Sequence, residues 1–483
     1  MNRVIVATFL SLFAAANSPA QPTDHIYNVR AYGAAGDGHT LDTAAIQKAV
    51  RAASKTGGGT VVFHPGTYVT GTFELLSNVT LDMEAGATLK GSPNIADYRP
   101  IQDFGFGRNY GVDLTGEGYV LGMIVAHNAN NIGITGQGTI DGNDPAFFDF
   151  TKPHYTMDFD PKSTRQGQKF LDAVLATGDG PVAEKPPGRP GTMIVFFNCQ
   201  NIRIDSITLR NAPNWTLHFN VARNAVVHGI HILNDPRIPN NDGFDCMDCH
   251  NVQVSDSDIR TGDDDFAIVG SDNVAISNCT LFSNSSAIRL EDSRYSIFSN
   301  LVIHTNRGIG IYGRGLGTTS NILFTDILME THLLTGHWWG KGEPIYVAAG
   351  TAGGIAGRIR DISFVNIHGE AENGLILYGD PGTYLENITL DHVSFRFRVT
   401  RPEVNAAVGG NFDLRWTAKS VTDGVVQHDI PALYGRYIHG LKLEDVDFRW
   451  EPSMPAWYSS DFELKDVTSL SIDRFTSNPS QIP

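Results

Sequence analysis

The chain has 483 residues, of which 41% are hydrophobic and 18% charged, and its formal net charge is −16. This composition excludes a disordered chain, because charged residues are few and apolar residues are many. The acidic balance argues against a nucleic-acid-binding protein, which needs clustered Lys and Arg. After the N-terminus no apolar run approaches the roughly 20 residues of a membrane-spanning helix, so we expect no membrane partner.

Residues 1–20 are typical of a secretory signal peptide. One basic residue precedes an apolar stretch from about Val4 to Ala16, and a small residue stands at position 20. The alternative is a buried first helix. We predict cleavage after position 20, a single domain over 21–483, and a secreted or periplasmic protein.

The first predicted structural element is an amphipathic helix at Leu41–Ser54. Asp42 or Thr43 provides a helix-starting residue, and three glycines from Gly57 end the helix. Its apolar face needs a partner, so we expect the helix to cover an end of the fold that follows.

A long segment over 148–191 contains Pro, Gly and several basic residues and shows no regular pattern. Long insertions in a regular scaffold are usually functional or disordered. We expect a lid or a groove wall, and the alternative is a surface excursion without a role in function.

A short phrase recurs along the chain, in which Asn or Asp precedes alternating apolar residues. Its copies begin at Asn131, Asn201, Asn224, Asn251, Asn273, Asn321, Asp361 and Asn387. From Asn201 the first steps are 23, 27 and 22 residues by subtraction, and periods of 20–50 residues indicate a solenoid or an array. The alternation indicates short strands, and one coil of three strands and three turns fits this repeat length.

The predicted fold class is therefore all-β, a single-domain right-handed parallel β-helix with the helix at 41–54 as its N-terminal cap. Stacked coils would pair strand on strand at about 4.8 Å. The repeated Asn suits a left-handed turn and a stacked amide ladder.

Two adjacent copies carry an unusual group of carboxylates. Asp242 precedes one strand, and Asp263 and Asp264 precede the next, 21 residues later. This spacing predicts one face of neighbouring coils, where like charges raise each other's pKa. Such repulsion indicates acid–base chemistry or a metal site, and glycoside hydrolysis requires two carboxyl groups. The alternatives are solvated Asp-rich turns and a calcium site; because no Asp-x-Asp-x-Asp-Gly loop is present, we predict no metal.

The segment PNNDGFDCMDCHNVQVSDSDIRTGDDDFAIVG, Pro239–Gly270, resembles glycoside hydrolase family 28, the polygalacturonase-like enzymes. The opening YNVRAYGAAGDG from Tyr27 resembles the wider pectate-lyase-like superfamily. The resemblance implies a β-helix enzyme that acts on galacturonate-containing pectin by inversion, with no required metal or cofactor.

The same resemblance implies roles for individual residues. By position, Asp263 is the general acid, and Asp242 and Asp264 hold and activate the attacking water. Asn240 is the supporting amide.

Two family segments differ in this sequence. Ser285-Ser286-Ala287 stands where the family has Gly-His-Gly, and Gly310-Ile311-Tyr312 stands where it has the carboxylate-binding Arg-Ile-Lys. Arginines nearby are expected to rebuild a cationic pocket, because Arg binds carboxylates through two parallel hydrogen bonds. The predicted substrate-binding residues, besides Asn240, are His218, Arg289, Arg307, Tyr312, Arg314, Trp338 and Trp339.

We therefore predict an exported, monomeric glycosidase whose partner is an acidic plant polysaccharide or oligosaccharide. The first alternative is a polysaccharide lyase, in which Arg289, Tyr312 and the Asp cluster serve an elimination. The second is a noncatalytic carbohydrate-binding β-helix.

Overall fold

The computed structural model describes residues 25–100, 121–154, 160–176, 178–350, 355–415 and 424–478. The predicted signal peptide lies outside the described residues. Most of the described chain forms one continuous stack of parallel strands, and this confirms the predicted all-β solenoid.

The strands of the N-terminal part are β1 (Ile26–Asn28), β2 (Asp37–Leu41), β3 (Gly59–Phe63), β4 (Gly66–Thr70), β5 (Phe73–Glu74), β6 (Val79–Met83), β7 (Ala87–Gly91), β8 (Ile124–His127), β9 (Asn130–Gly136), β10 (Thr139–Asp141), β11 (Phe148–Pro153), β12 (Val182–Glu184), β13 (Ile194–Phe197), β14 (Gln200–Asp205), β15 (Thr208–Arg210), β16 (Leu217–Asn220), β17 (Arg223–His228) and β18 (His231–Leu233). The remaining strands are β19 (Phe244–Met247), β20 (His250–Ser255), β21 (Asp258–Thr261), β22 (Phe266–Val269), β23 (Asp272–Glu291), β24 (Arg294–Gly313), β25 (Thr318–Thr331), β26 (Ile345–Ala349), β27 (Arg358–Ala371), β28 (Leu375–Tyr378), β29 (Leu385–Phe397), β30 (Asn411–Asp413), β31 (Val425–Gln427), β32 (Leu433–Trp450) and β33 (Phe462–Asn478). The helices are α1 (Thr43–Lys55), α2 (Gln168–Leu175) and α3 (Pro402–Val408).

Each coil adds one strand to each of three parallel sheets. In the middle of the solenoid the first sheet contains β13, β16, β19 and β22. The second sheet contains β14, β17 and β20, and the third contains β15, β18 and β21. From β23 onward, long strands bend through the corners and pair in more than one sheet.

The repeated Asn and Asp residues mark one corner of the coil. All eight have a left-handed backbone, with φ between 54° and 62°. Their side chains form the predicted amide ladder: Asn201 Nδ2 donates to Asn131 Oδ1 at 3.0 Å, and Asn251 Nδ2 donates to Asn224 Oδ1 at 2.9 Å. A short amide tolerates this conformation and supplies both a donor and an acceptor, which explains the sequence period.

The first sheet differs from the other two in its burial. In the second sheet Arg223–His228 alternates between exposed and buried residues, because one face packs on the core and the other meets solvent. In the first sheet all four residues of Leu217–Asn220 are buried, as are the first three of Phe244–Met247 and of Phe266–Val269. The outer face of the first sheet is therefore covered, and the turns that lead into it lie beside a sheltered surface.

Helix α1 begins two residues later than the sequence predicts and ends one residue later. Its apolar residues, such as Ile46 and Val50, are fully buried in the core that continues through the solenoid. Asp42 precedes the helix, but its carboxylate accepts hydrogen bonds from the backbone N–H groups of Ala35 and Gly36, at 2.7 and 3.0 Å. The role of α1 as an end cap stays a prediction.

The described part of the 148–191 segment lies outside the three sheets of the solenoid. Strands β11 and β12 pair in antiparallel fashion, and α2 packs against α3 in a second apolar cluster that includes Phe170 and Val408. No helix in the described part of the chain is long and apolar enough to cross a membrane.

Candidate active site

The structure brings the three predicted catalytic carboxylates together. Asp242 lies in the turn before β19, and Asp263 and Asp264 lie in the turn before β22. These two strands are direct neighbours, with Phe244 paired to Phe266. One carboxylate oxygen from each of the three aspartates lies within 4.8 Å of the other two. The three residues are 3%, 8% and 4% exposed, so the cluster is nearly closed to bulk water.

The side chain of Asn241 connects the two turns. Asn241 Oδ1 accepts from Gly262 N at 2.6 Å, and Asn241 Nδ2 donates to Asp235 O at 2.9 Å. A Cβ atom on Gly262 would collide with Ile238 O, so glycine is required at this close approach. Asn241, the second residue of Asn240-Asn241-Asp242, therefore connects two neighbouring coils.

Asp263 has hydrogen-bond donors on both carboxylate oxygens. Asn240 Nδ2 lies 3.3 Å from Asp263 Oδ2, and Asp264 N donates to Asp263 Oδ1 at 3.1 Å. Burial raises the pKa of Asp263, while Arg289, the Ser285 side chain and the backbone N–H groups of Asn240 and Asp264 lower it. The net direction is upward, as a general acid requires.

Asp242 and Asp264 repel both each other and Asp263. Burial is the main reason that the pKa of Asp242 is raised well above its ordinary value, and the neighbouring carboxylates add to it. Burial and Asp263 raise the pKa of Asp264 to about 7. Arg289 opposes both effects, with its Nη1 3.9 Å from Asp264 Oδ2. Such a cluster holds its protons to higher pH than isolated carboxyl groups do.

The same three oxygens are spaced closely enough for a hard cation to bridge them. Among the described residues this is the one cluster of three such ligand groups. The metal-free site expected from the sequence stays a prediction.

Two of the predicted cationic residues share one carboxylate. Arg289 Nη2 lies 2.7 Å from Glu291 Oε1, and Arg314 Nη2 lies 2.8 Å from Glu291 Oε2. Although burial opposes it, the two guanidinium groups hold the pKa of Glu291 below its ordinary value. The group of three residues keeps a formal charge of +1. Its arginine side chains are 22% and 37% exposed, so both retain surface that a ligand can reach.

Arg307 is fully buried and bridges several elements. Its Nη1 donates to Tyr312 OH at 2.8 Å, and its guanidinium lies 3.9 Å from the ring centre of Tyr346. Its Nη2 lies 3.3 Å from Asp413 Oδ2, and its Nε lies 3.4 Å from Glu343 Oε2. Arg307 and Tyr312 are 0% and 1% exposed, so their observed contacts are with the protein, and their contact with a substrate stays a prediction.

The two tryptophans pack against neighbouring segments. Trp338 is buried, and its Nε1 donates to Asp179 O at 2.5 Å. The Arg415 guanidinium lies 4.0 Å from the ring centre of Trp339, which is half-buried. Trp338 is thereby joined to the 148–191 segment. The predicted sugar contacts of both residues remain untested by this geometry.

His218 lies in the first sheet directly beside Asp245, its ladder partner in β19. Both are fully buried, and within the described chain neither ring nitrogen of His218 and neither carboxylate oxygen of Asp245 has a hydrogen-bond partner. Burial lowers the pKa of His218 to about 3 and raises that of Asp245 well above its ordinary value. Asp264 and Asp263 contribute to this rise in the pKa of Asp245, so Asp245 is a fourth carboxyl group beside the cluster, one that the sequence analysis did not single out.

Two further residues of the site carry no clear sequence signal. Glu291 stands two positions after Arg289 in a repeat where acidic residues are common. Arg189 lies in the irregular 148–191 segment, yet its Nη2 lies 3.3 Å from Asn240 Oδ1. Only the folded chain brings that segment to the catalytic turn.

Comparison with known proteins gives two family matches. Residues 104–284 match the family model described as glycosyl hydrolases family 28, and residues 26–159 match rhamnogalacturonase A/epimerase, pectate lyase-like. The probable polygalacturonase of Vitis vinifera is 31% identical over 244 residues, which are 49% of this chain and 43% of that protein. The exo-poly-alpha-D-galacturonosidase of Dickeya chrysanthemi is 28% identical over 427 residues, 82% of this chain and 65% of that protein. The chain thus spans less than two thirds of the length of either relative.

Among solved structures, the family 28 exopolygalacturonase of Yersinia enterocolitica has a TM-score of 0.63, with 93% of this chain and 78% of that chain covered. Its sequence identity of 19% makes it evidence for the fold alone, and it confirms the parallel β-helix. The matching family model and the curated relatives confirm the resemblance seen in the sequence: a large part of this chain is similar to the glycosyl hydrolases of family 28.

Proposed function

We propose that this protein is an exported glycoside hydrolase that cleaves galacturonate-containing polysaccharide or oligosaccharide by inversion and without a metal. The observation that carries the hydrolase part of the proposal is that one carboxylate oxygen from each of Asp242, Asp263 and Asp264 lies within 4.8 Å of the other two, while inversion is what the family resemblance implies. Two carboxyl functions at one place are the chemical requirement of glycosidic bond hydrolysis.

In this mechanism Asp263 is protonated and gives its proton to the glycosidic oxygen as the bond to the anomeric carbon breaks. Asp242 and Asp264 hold a water molecule, and the ionised member of the pair takes one proton from it as it attacks the opposite face of the sugar. Hydrolysis thus consumes one water, and the proton taken by the base replaces the one lost by Asp263 after release of the product. Arg289 supports the ionised base electrostatically.

The substrate class follows from the cationic side of the site. Arg289 and Arg314 flank Glu291, and their excess positive charge suits one uronate carboxylate in a strongly acidic protein. The curated relatives are named polygalacturonase and exo-poly-alpha-D-galacturonosidase, which supports the same class. Export belongs to the proposal because an extracellular polymer requires a secreted enzyme, and the monomeric state expected from the sequence is proposed with it.

The test is to incubate the purified protein with polygalacturonate and pectic oligosaccharides. We expect new reducing ends without the ultraviolet absorbance of an unsaturated uronide, and no release of reducing ends by D263N. The D473N variant is the matched control, since Asp473 is exposed at the far end of the solenoid. An unsaturated product would identify a lyase. Binding without cleavage of any of these glycans would identify a noncatalytic carbohydrate-binding protein.

A further inference from the structure

The 148–191 segment reaches the catalytic turn through one side chain, Arg189. Its Nη1 donates to the carbonyl oxygens of Pro213 and Pro239, at 2.8 and 2.6 Å. These carbonyls belong to the turns of two successive coils, and Pro239 directly precedes Asn240. Arg189 therefore ties the inserted segment to the loop that presents Asp242.

Two residues of the same segment, Glu184 and Phe148, also contact the Arg189 side chain. Arg189 Nε lies 3.1 Å from Glu184 Oε2, and its guanidinium lies 5.3 Å from the ring centre of Phe148. The side chain is only 14% exposed. Glu184 contacts the edge of the planar guanidinium and Phe148 contacts its face, so Arg189 has little freedom to move away from the oxygens to which it donates.

The contact that matters for chemistry is with the amide of Asn240. Arg189 Nη2 lies 3.3 Å from Asn240 Oδ1, and on the other side of that amide Asn240 Nδ2 lies 3.3 Å from Asp263 Oδ2. Arginine has donors only, so it favours the orientation in which the amide oxygen faces it. The amide NH₂ must then face Asp263.

We propose that Arg189 is a positioning residue, which orients the Asn240 amide so that it donates to the general acid Asp263. The proposal deepens the hydrolase function and rests on it. It also gives the inserted segment a role in catalysis through Arg189, which acts on the Asn240 amide.

A reversed orientation of the Asn240 amide would change the pKa of Asp263. Donation by the Asn240 NH₂ stabilises the ionised form of Asp263, whereas an amide oxygen facing a carboxylate would destabilise that form. Loss of the correct orientation therefore raises the pKa of the acid. A raised acid pKa moves the basic limb of the pH–rate profile to higher pH.

The experiment compares R189M, N240A and the double variant with R237M as a control. Arg237 also contacts the inserted segment, with its guanidinium 5.1 Å from the ring centre of Phe150, but it pairs with Asp235 at 2.9 Å and not with Asn240. R237M therefore weakens the attachment of the segment without removing the amide contact.

We expect R189M and N240A each to move the basic limb of kcat/KM upward by about 0.5–1 pH unit, and the double variant to move it no further than N240A. R237M should leave the limb in place. An unmoved limb in R189M, an equal shift in R237M, or additive shifts in the double variant would overturn the positioning role.

A second readout does not depend on activity. In chemical denaturation, N240A should reduce the free energy of unfolding less in the R189M background than in the wild type, because the two residues act as a pair. Additive losses would overturn the contact itself. A wild type that hydrolyses no pectic glycan would instead refute the proposed function, so the two failures are distinguishable.

Discussion

Arg289 forms an ion pair with Glu291, its Nη2 2.7 Å from Glu291 Oε1. This partner holds the guanidinium beside the carboxylate cluster, where Nη1 stops 3.9 Å from Asp264 Oδ2. Arg289 thus influences the clustered aspartates through its charge, at a distance from Asp264 too long for a hydrogen bond. Its effect should be visible in the pH dependence of the reaction.

Replacement of Arg289 by Gln should move the whole pH–rate profile to higher pH. The positive charge lowers the pKa of Asp242, Asp263 and Asp264, so its removal raises the pKa of the base and of the acid together. We expect a shift of about 1 unit in both limbs, measured as kcat/KM against pH. R294Q is the control, because Arg294 pairs with Asp272 on the exposed surface of the solenoid; profiles that coincide for R289Q and wild type would refute the electrostatic role.

Replacement of Arg314 by Gln should weaken substrate binding more than the chemical step. Arg314 is 37% exposed and binds both carboxylate oxygens of Glu291, whereas Arg289 is the arginine that lies beside Asp264, so we expect Arg314 to bind substrate rather than to tune the aspartates. We expect KM for galacturonate oligosaccharides to rise about tenfold with kcat little changed. R358Q provides the comparison, since Arg358 is 61% exposed and paired with Glu386. An unchanged KM would place the carboxylate contact elsewhere.

Asp144 should make the protein less stable as the pH rises from about 4 to about 7. Burial raises the pKa of Asp144 to about 7, and Asp235 and Asp141 add to the effect. In the unfolded chain Asp144 ionises near pH 4, whereas in the folded chain it stays protonated until about pH 7. The folded state then holds more protons, so the free energy of unfolding falls over this interval, by up to about 4 kcal/mol for this one group.

D144N should remove part of that fall, and the measurement is chemical denaturation at pH 4.5 and pH 7.5. D149N is the control, because Thr151 and Lys152 lower the pKa of Asp149 to about 2. Its stabilising contribution is already complete above pH 4 and is lost only at lower pH. If D144N and wild type lose the same stability between the two pH values, Asp144 does not carry this pH dependence.

Removal of divalent cations should leave the activity unchanged. The three catalytic carboxylates lie close enough for a cation to bridge them, but each already has a role in proton transfer or water activation in the proposed mechanism. We expect equal rates after dialysis against EDTA and after addition of Ca²⁺. A rate that falls with EDTA and returns with Ca²⁺ would show that the site requires a metal. This result would favour the alternative function of a polysaccharide lyase.

The repeat and the carboxylate cluster were predictable because both follow from spacing. The Asn residues recur at coil length because each occupies the same left-handed corner, and the 21-residue step from Asp242 to Asp263 is close to one coil. A regular solenoid converts sequence distance directly into spatial distance. Strand alternation likewise placed Phe244 and Phe266 in the core.

The contacts made by irregular segments were not predictable. Arg307 pairs with Asp413, which belongs to a strand outside the solenoid, and Trp338 donates to Asp179 of the inserted segment. No repeat relates these positions, so their sequence separation carries no information about their distance. The sequence alone therefore could not distinguish an exposed sugar-binding Trp or Arg from one that holds loops together.

The most direct test of the central claim is to follow product configuration by NMR during hydrolysis of a galacturonate oligosaccharide. Wild-type protein should release a product whose anomeric configuration is inverted at the first observable time. D263N should release no product, although a cooperative thermal unfolding transition shows that it is folded. A product with retained configuration, or a D263N rate equal to that of the wild type, would contradict the assignment of these aspartates.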